Sequence, residues 1–409
     1  MDVSVSLLLC WFVTVFPELV RGSRSDSHRK VSFEYNPGRS TRRVEPSPNV
    51  LHVRAVGSSD TIHYLWSTLG APTVLLVYTS SPNSSLHINW TRLEQRDPSN
   101  AVHVEPAEAV VHSAAVIFSR VLEYDDAGNV ADISRVPASS FYPAYQLEEL
   151  SWDNVNATLD PRRLTAQLCG RNASDQLFGN GSFTFRIAAF EDTGRDMELP
   201  RLLHTANSSR LEFLIDGVAP RGNHSRFALE LFTLEGLGAR PELRLHHSID
   251  DEYTPSIFQM DQLVALGENG STIASFLQWK PVAYTSQHPS LANSVPARQY
   301  GLQPGRNHSL PAFSLAYAFY GAPLPGGPRL AAMNISFGGP DRGLYEPGRH
   351  IRWSALIGHG EPPQERFSVL VIVIMTVALG LPVLLLLLGG VTVCIIHRRR
   401  TTTLYQPVN

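Results

Sequence analysis

The densest group of side chains able to do chemistry is His246-His247-Ser248-Ile249-Asp250-Asp251-Glu252-Tyr253. Two imidazoles and three carboxylates within seven residues supply the donor types of a divalent-metal site, or of acid hydrolysis by Asp250, Asp251 and His247. Adjacent side chains on an extended chain face opposite sides, so a tetrahedral site would draw partners from elsewhere. A solvated turn or a hydrogen-bonded loop is the simpler reading. Asp192-Thr193-Gly194 matches the aspartic-protease tripeptide. That chemistry needs two carboxylates sharing one proton, and no second Asp-Thr/Ser-Gly occurs. Its flanks, Glu191, Arg195 and Asp196, are polar, which favours a turn. Gly-x-Ser-x-Gly, His-Glu-x-x-His, Cys-x-x-Cys and phosphate loops are all absent. No catalytic, cofactor-binding or metal residue is therefore assigned, and a non-enzyme is expected.

Asparagine carries the stronger signal. N-x-S/T occurs at Asn83, Asn89, Asn156, Asn172, Asn180, Asn207, Asn223, Asn269, Asn307 and Asn334. With 17 Asn and 60 Ser plus Thr in 409 residues, chance gives about two or three such triplets, and ten are present. A glycan is bulky and hydrophilic, so each acceptor marks a surface reached by the secretory pathway. Cysteine is sparse. Cys10 falls in the N-terminal apolar segment and Cys394 in the C-terminal one, which leaves Cys169 alone between them, with no intrachain disulfide available. Cys169 reads as a small buried thiol, with a link between two chains as the alternative.

Two apolar segments must position everything else. Val3 to Val15 has the length of a secretory h-region, so residues 1–23 are expected to be a signal peptide. Phe367 to Ile396 is 30 residues without a charge, long enough to cross the ~30 Å hydrocarbon core. His397-Arg398-Arg399-Arg400 follows at once, which places the C-terminus in the cytosol and makes the protein single-pass type I, its N-terminal region facing the lumen. The cytosolic tail, 397–409, ends Tyr405-Gln406-Pro407-Val408-Asn409. Tyr405 and Val408 form a Tyr-x-x-hydrophobic signal, an extended peptide whose two side chains enter separate pockets of a clathrin adaptor. Such signals direct membrane proteins to endosomes and lysosomes, so a lysosomal membrane location is expected.

Between the segments, short β-branched or aromatic runs recur, among them Leu51–Val56, Ile62–Trp66, Val74–Tyr78, Ala114–Leu122, Phe183–Phe190, Leu211–Ile215 and Phe227–Thr233. The expected fold class is mainly β, sandwich-like, with one C-terminal transmembrane helix. Ser256–Leu266 is the best candidate for a short luminal helix. A polar gap at Glu191–Glu198 suggests two luminal domains, 24–195 and 196–350, followed by a juxtamembrane stalk at 351–366 and the span at 367–396. A net charge of −3, from 34 basic and 37 acidic residues, offers no field for nucleic acid, and a glycosylated, anchored chain does not reach the nucleus.

Six segments closely resemble the glycosylated lysosomal membrane protein family. They are Leu51-His-Val-Arg-Ala-Val-Gly57, His63-Tyr-Leu-Trp-Ser-Thr-Leu-Gly70, Leu202-Leu-His-Thr-Ala206, Pro220-Arg-Gly-Asn-His-Ser225, His247-Ser-Ile-Asp-Asp-Glu-Tyr253 and Gln278-Trp-Lys-Pro-Val-Ala-Tyr284, followed by the span and tail. The resemblance implies a lysosomal type I protein with a mainly β luminal region. It also implies a role as accessory subunit that binds, stabilises and protects a lysosomal major-facilitator transporter of dipeptides, and it allows a homodimer. It carries sorting to Tyr405 and Val408 and glycosylation to the ten sequons, and it supplies no catalytic residue. Family members carry luminal cysteines where this chain has Ser209 and Ala331, so the family's disulfide bracing is not carried over. The competing readings are a lysosomal acid hydrolase and an endosomal cargo-binding receptor.

Overall fold

Alternation of period two builds the sheets. In Ser182–Ala189, Phe183, Phe185 and Ile187 face the core, with Ser182, Thr184 and Arg186 on the other side. Ser208–Asp216 repeats the pattern with Leu211, Phe213 and Ile215 inward, and His350–His359 with Ile351, Trp353, Ala355 and Ile357. A computed structural model describes residues 28–39, 48–95, 98–172, 178–236, 238–247, 259–267, 270–304, 314–321, 329–340, 342–364 and 369–402.

Two large antiparallel sheets result. The first runs, in pairing order, Lys30–Tyr35, Val50–Val56, Thr61–Ser67, Thr73–Thr79, Val110–Asp125, Ser225–Glu235 and Arg329–Phe337. The second runs Thr165–Arg171, Ser182–Ala189, Ser208–Asp216, His350–His359, Ile273–Trp279, Met260–Leu266 and Arg240–His246. Their inner faces share one apolar core. Phe118 meets Phe185 across it at 4.7 Å between ring centroids, and Phe337 of the first sheet packs on both Phe213 and Trp353 of the second. Ser294–Gln299 joins the two sheets at a corner: its first half pairs with Val282–Tyr284 and its second half with Arg329–Phe337.

A third layer covers the outer face of the first sheet. The hairpin Ser85–Ile88 with Val102–Glu105, the short helix Trp90–Leu93 and the helix Leu315–Tyr320 bury Leu65, Leu75, Val77 and Phe232 from outside. Covered on both faces, Thr61–Ser67 is buried at all seven positions. On the second sheet, Leu202 packs with Val264, Leu266 and Phe276 in a smaller cluster.

The mainly β class with one C-terminal helix is as expected, but three local expectations give way. Strands on either side of 195/196 pair along their lengths, Ser182–Ala189 with Ser208–Asp216 and Val110–Asp125 with Ser225–Glu235, and residues 26–364 form one compact unit. No interface separates 24–195 from 196–350, because long-range strand pairing overrides a polar turn. Residues 351–359, read as the start of a stalk, belong to the almost wholly buried strand His350–His359 in the middle of the second sheet. Met260–Leu266, read as part of a helix, is a strand held between neighbours on both sides; tertiary pairing outweighs local propensity. The expected signal peptide at 1–23 lies outside the described residues.

The helix Val369–Thr402 is described by itself. It has 34 residues, Pro382 lies inside it, and Arg399 and Arg400 occupy its last turn. The stretch Val373–Arg400 is apolar and unburied, and its ~40 Å exceeds the hydrocarbon thickness.

Candidate functional site

The N-x-S/T sequons are distributed over the β unit. Asn83, Asn89, Asn156, Asn180 and Asn223 are exposed. Asn172, Asn207 and Asn334 are half-buried, and Asn269 and Asn307 lie outside the described residues. N-glycosylation uses Nδ2 and leaves Oδ1 free to accept. Asn89 Oδ1 caps the helix Trp90–Leu93 by accepting from Arg92 N at 3.0 Å, and Asn207 Oδ1 accepts from Arg29 Nε at 2.7 Å, so both structural bonds are compatible with a sugar. Asn334 sits within the strand Arg329–Phe337 rather than on a loop.

Three of the segments that carry the family resemblance build buried polar knots. In Pro220–Ser225, Arg221 N and Ser225 Oγ donate to Glu123 Oε1 at 2.6 and 2.7 Å, and Tyr145 Oη donates to Oε2 at 3.2 Å. The next residue, Arg226, is fully enclosed. Its Nε donates to Asp126 Oδ2 at 2.7 Å, Nη1 to Arg342 O at 2.9 Å, and Nη2 to Asn129 Oδ1 at 2.6 Å and Gly339 O at 3.1 Å. Those bonds tie the turn after Val110–Asp125 to the far end of the sheet. His52 and His63, from the first two segments, form a chain: His52 Nε2 lies 2.9 Å from His63 Nδ1, and His63 Nε2 lies 2.9 Å from Ser84 Oγ. Burial pulls the two imidazoles down to about 3 and about 4. Burial likewise lowers His112, His204 and His359 to about 4. It raises Glu235 to about 7 and Asp261 to about 6. These side chains are neutral in a mildly acidic compartment.

The chemistry-bearing groups singled out in the sequence are scattered. Asp192 is exposed in a turn and pairs with His28 at 2.9 Å. His246 ends the strand Arg240–His246 and His247 is exposed; residues 248–258, with Asp250 and Asp251, lie outside the described residues. Among the described residues, no cluster of three or more His, Cys, Asp or Glu side chains is arranged to hold a metal ion. Cys169 is half-buried rather than enclosed, on the outer face of Thr165–Arg171. Ser209 and Ala331 lie on strands of different sheets, Ser208–Asp216 and Arg329–Phe337. Tyr405 and Val408 are outside the described residues.

The outer face of the second sheet was not anticipated. Arg352 Nη2 donates to Glu212 Oε1 at 2.7 Å and to Glu198 Oε2 at 2.5 Å, and Arg210 meets Asp196 at 3.0 Å. The Arg352 bond holds Glu198 below the usual carboxylate range, whereas burial raises Asp196 despite Arg210. This ladder lies on two clefts, one of about 580 Å³ bordered by Arg163, Arg195 and His204, the other of about 400 Å³ bordered by Cys169, Gln287 and His350. The available signal was the alternation His350, Arg352, Ser354, hidden by the reading of that stretch as a stalk.

Comparison with known proteins follows the same lines. A family model described as glycosylated lysosomal membrane protein matches residues 49–400. Glycosylated lysosomal membrane protein A of Xenopus laevis is 49% identical over 392 residues, 95% of each chain. The Danio rerio protein of the same name is 38% identical over 98% of each chain, and the Homo sapiens protein is 38% identical over 99% of this chain and 96% of its own. The single C-terminal helix fits a type I arrangement with the large β unit on the luminal side. The chain therefore belongs to the glycosylated lysosomal membrane protein family, whose members are proteins of the lysosomal membrane.

Proposed function

We propose that this protein is a non-enzymatic accessory subunit that binds, stabilises and protects a lysosomal major-facilitator transporter of dipeptides. The observation that supports this reading most is the pairing of one membrane-spanning helix among the described residues with a β unit studded with exposed N-x-S/T sequons. Such a helix can pack against a multi-span partner, and Pro382 with Gly380 offers a close-packing notch. Sugars on the luminal unit would screen both proteins from proteases. Tyr405 and Val408 would bring the complex to lysosomes through a clathrin adaptor. The acid-hydrolase alternative rests on His247, which is exposed, and on Asp250 and Asp251, which lie outside the described residues. Purification of the endogenous protein in mild detergent is expected to recover a major-facilitator transporter, and deletion of the chain to lower that transporter's level. An unchanged level with no co-purification would end the proposal.

A further inference from the structure

The cleft of about 400 Å³ crosses Thr165–Arg171, Ser182–Ala189, Ser208–Asp216 and His350–His359 on their outer face. Its polar lining includes Gln167, Thr184, Arg186, Gln287, His350 and Arg352. His350 is only 4% exposed; Asp216 Oδ1 lies 3.0 Å from its Nδ1, and its Nε2 has no hydrogen-bond partner. Arg352 is 3% exposed and spends Nη2 on Glu198 and Glu212, while its Nε is unmatched. Arg186 Nε is a further buried nitrogen without an acceptor. The two guanidiniums donate, while the Gln167 and Gln287 amides and the Thr184 hydroxyl both donate and accept.

Charge decides between ligand classes. Arg352 is balanced by Glu212 and Glu198, Arg186 lies 3.9 Å from Glu212, and His350 faces Asp216. The charges are matched internally, so the lining gives no advantage to an anion. It asks instead for neutral groups that donate and accept at once, as sugar hydroxyls do. A sugar is also near at hand: Asn180 is exposed and lies two residues before Ser182, which borders the cleft.

We propose that this cleft is a carbohydrate-binding site, occupied in the mature protein by the first sugars of the glycan on Asn180. The proposal rests on glycosylation of that sequon but not on the transporter role. Cys169, half-buried on the cleft wall, reports occupancy through its rate of maleimide labelling. The test uses full-length glycoprotein in detergent, with Cys394→Ser to silence the other thiol. A cleft filled nine-tenths of the time slows labelling about tenfold, so Asn180→Gln or enzymatic removal of N-glycans is expected to speed it about tenfold. Asn223→Gln is expected to leave the rate alone. Free N-acetylglucosamine or mannose added to Asn180→Gln protein is expected to restore slow labelling, and Gln287→Trp, which fills the cleft at its exposed rim, to slow it without sugar. Acceleration by Asn172→Gln in place of Asn180→Gln would support the site and move the source to that neighbouring glycan. A rate unmoved by deglycosylation and by added sugars would overturn the proposal, with intact glycosylation of Asn180 checked by its gel shift.

Discussion

Replacing Glu235 by Gln is expected to change stability in a pH-dependent way. Glu235 ends the strand Ser225–Glu235 and is buried. Its Oε1 accepts from Thr233 Oγ1 at 2.6 Å, whereas Oε2 has no hydrogen-bond partner and borders an internal cavity of about 20 Å³ beside Ser275. Burial, offset in part by the Thr233 hydroxyl, pushes the carboxyl from an ordinary 4.5 to about 7. His112 Nε2 is 3.9 Å from Oε2, but burial holds that imidazole down at about 4. Between those two values both groups are neutral, so no ion pair compensates. The folded protein keeps a proton that the unfolded chain releases near 4.5. This group's stabilisation is therefore complete below pH 4.5 and is lost as the pH rises through 7. A rise of ~2.5 in pKa corresponds to about 3 kcal/mol. Glu235→Gln keeps the shape and the Thr233 bond but cannot ionise. It should be nearly neutral at about pH 4.5 and stabilising by about 2–3 kcal/mol at about pH 8.5. Denaturant unfolding of the full-length protein in detergent, followed through the buried Trp66, Trp279 and Trp353, reads both values. An equal effect at the two pH values, or destabilisation at the higher one, would refute the reasoning.

The buried imidazoles work in the opposite direction. His204, stacked on Phe190 at 3.5 Å, is lowered to about 4, so its share of stability is present above 6.5 and is lost as the pH falls through 4. His204→Gln should narrow the difference in stability between neutral and acid pH by about 1 kcal/mol, discounted for partial exposure; an unchanged difference in paired unfolding curves would count against burial as the cause. Arg226→Ala leaves Asp126 buried without its cation and is expected to cost about 3–5 kcal/mol. The variant should remain in the endoplasmic reticulum with immature glycans, and normal lysosomal delivery would contradict the network's role. Single Asn→Gln changes at Asn83, Asn89, Asn156, Asn180 and Asn223 should each remove one step of gel mobility, read against fully deglycosylated protein. Tyr405→Ala should raise the cell-surface fraction measured by biotinylation, and undiminished lysosomal delivery would show that the partner sorts the complex.

Strands were legible wherever one face is apolar and the other polar, as in Phe183-Thr184-Phe185-Arg186-Ile187, because period two is a local signal. His350–His359 carries the same alternation, yet Gly358, Gly360 and Pro362-Pro363 beside the membrane segment made 351–366 resemble a stalk. The undivided unit was not legible, since the pairing of 208–216 with 182–189 and 350–359 leaves no mark in any one stretch. The outer-face cleft was hidden for the same reason: Gln167, Arg186 and His350 meet only through sheet order. The span was readable because it is defined by its own residues alone.

The place of His350–His359 also governs when the protein can finish folding. Nine residues separate that strand from the start of the helix Val369–Thr402. During synthesis it is among the last luminal pieces made, entering the endoplasmic reticulum as the hydrophobic anchor reaches the translocon. Until then Ser208–Asp216 and Ile273–Trp279 lack their common neighbour, and their open edges are exposed to other nascent chains. A secreted fragment made for crystallisation or therapy must therefore extend past residue 360, because an earlier stop codon removes the strand that closes the sheet.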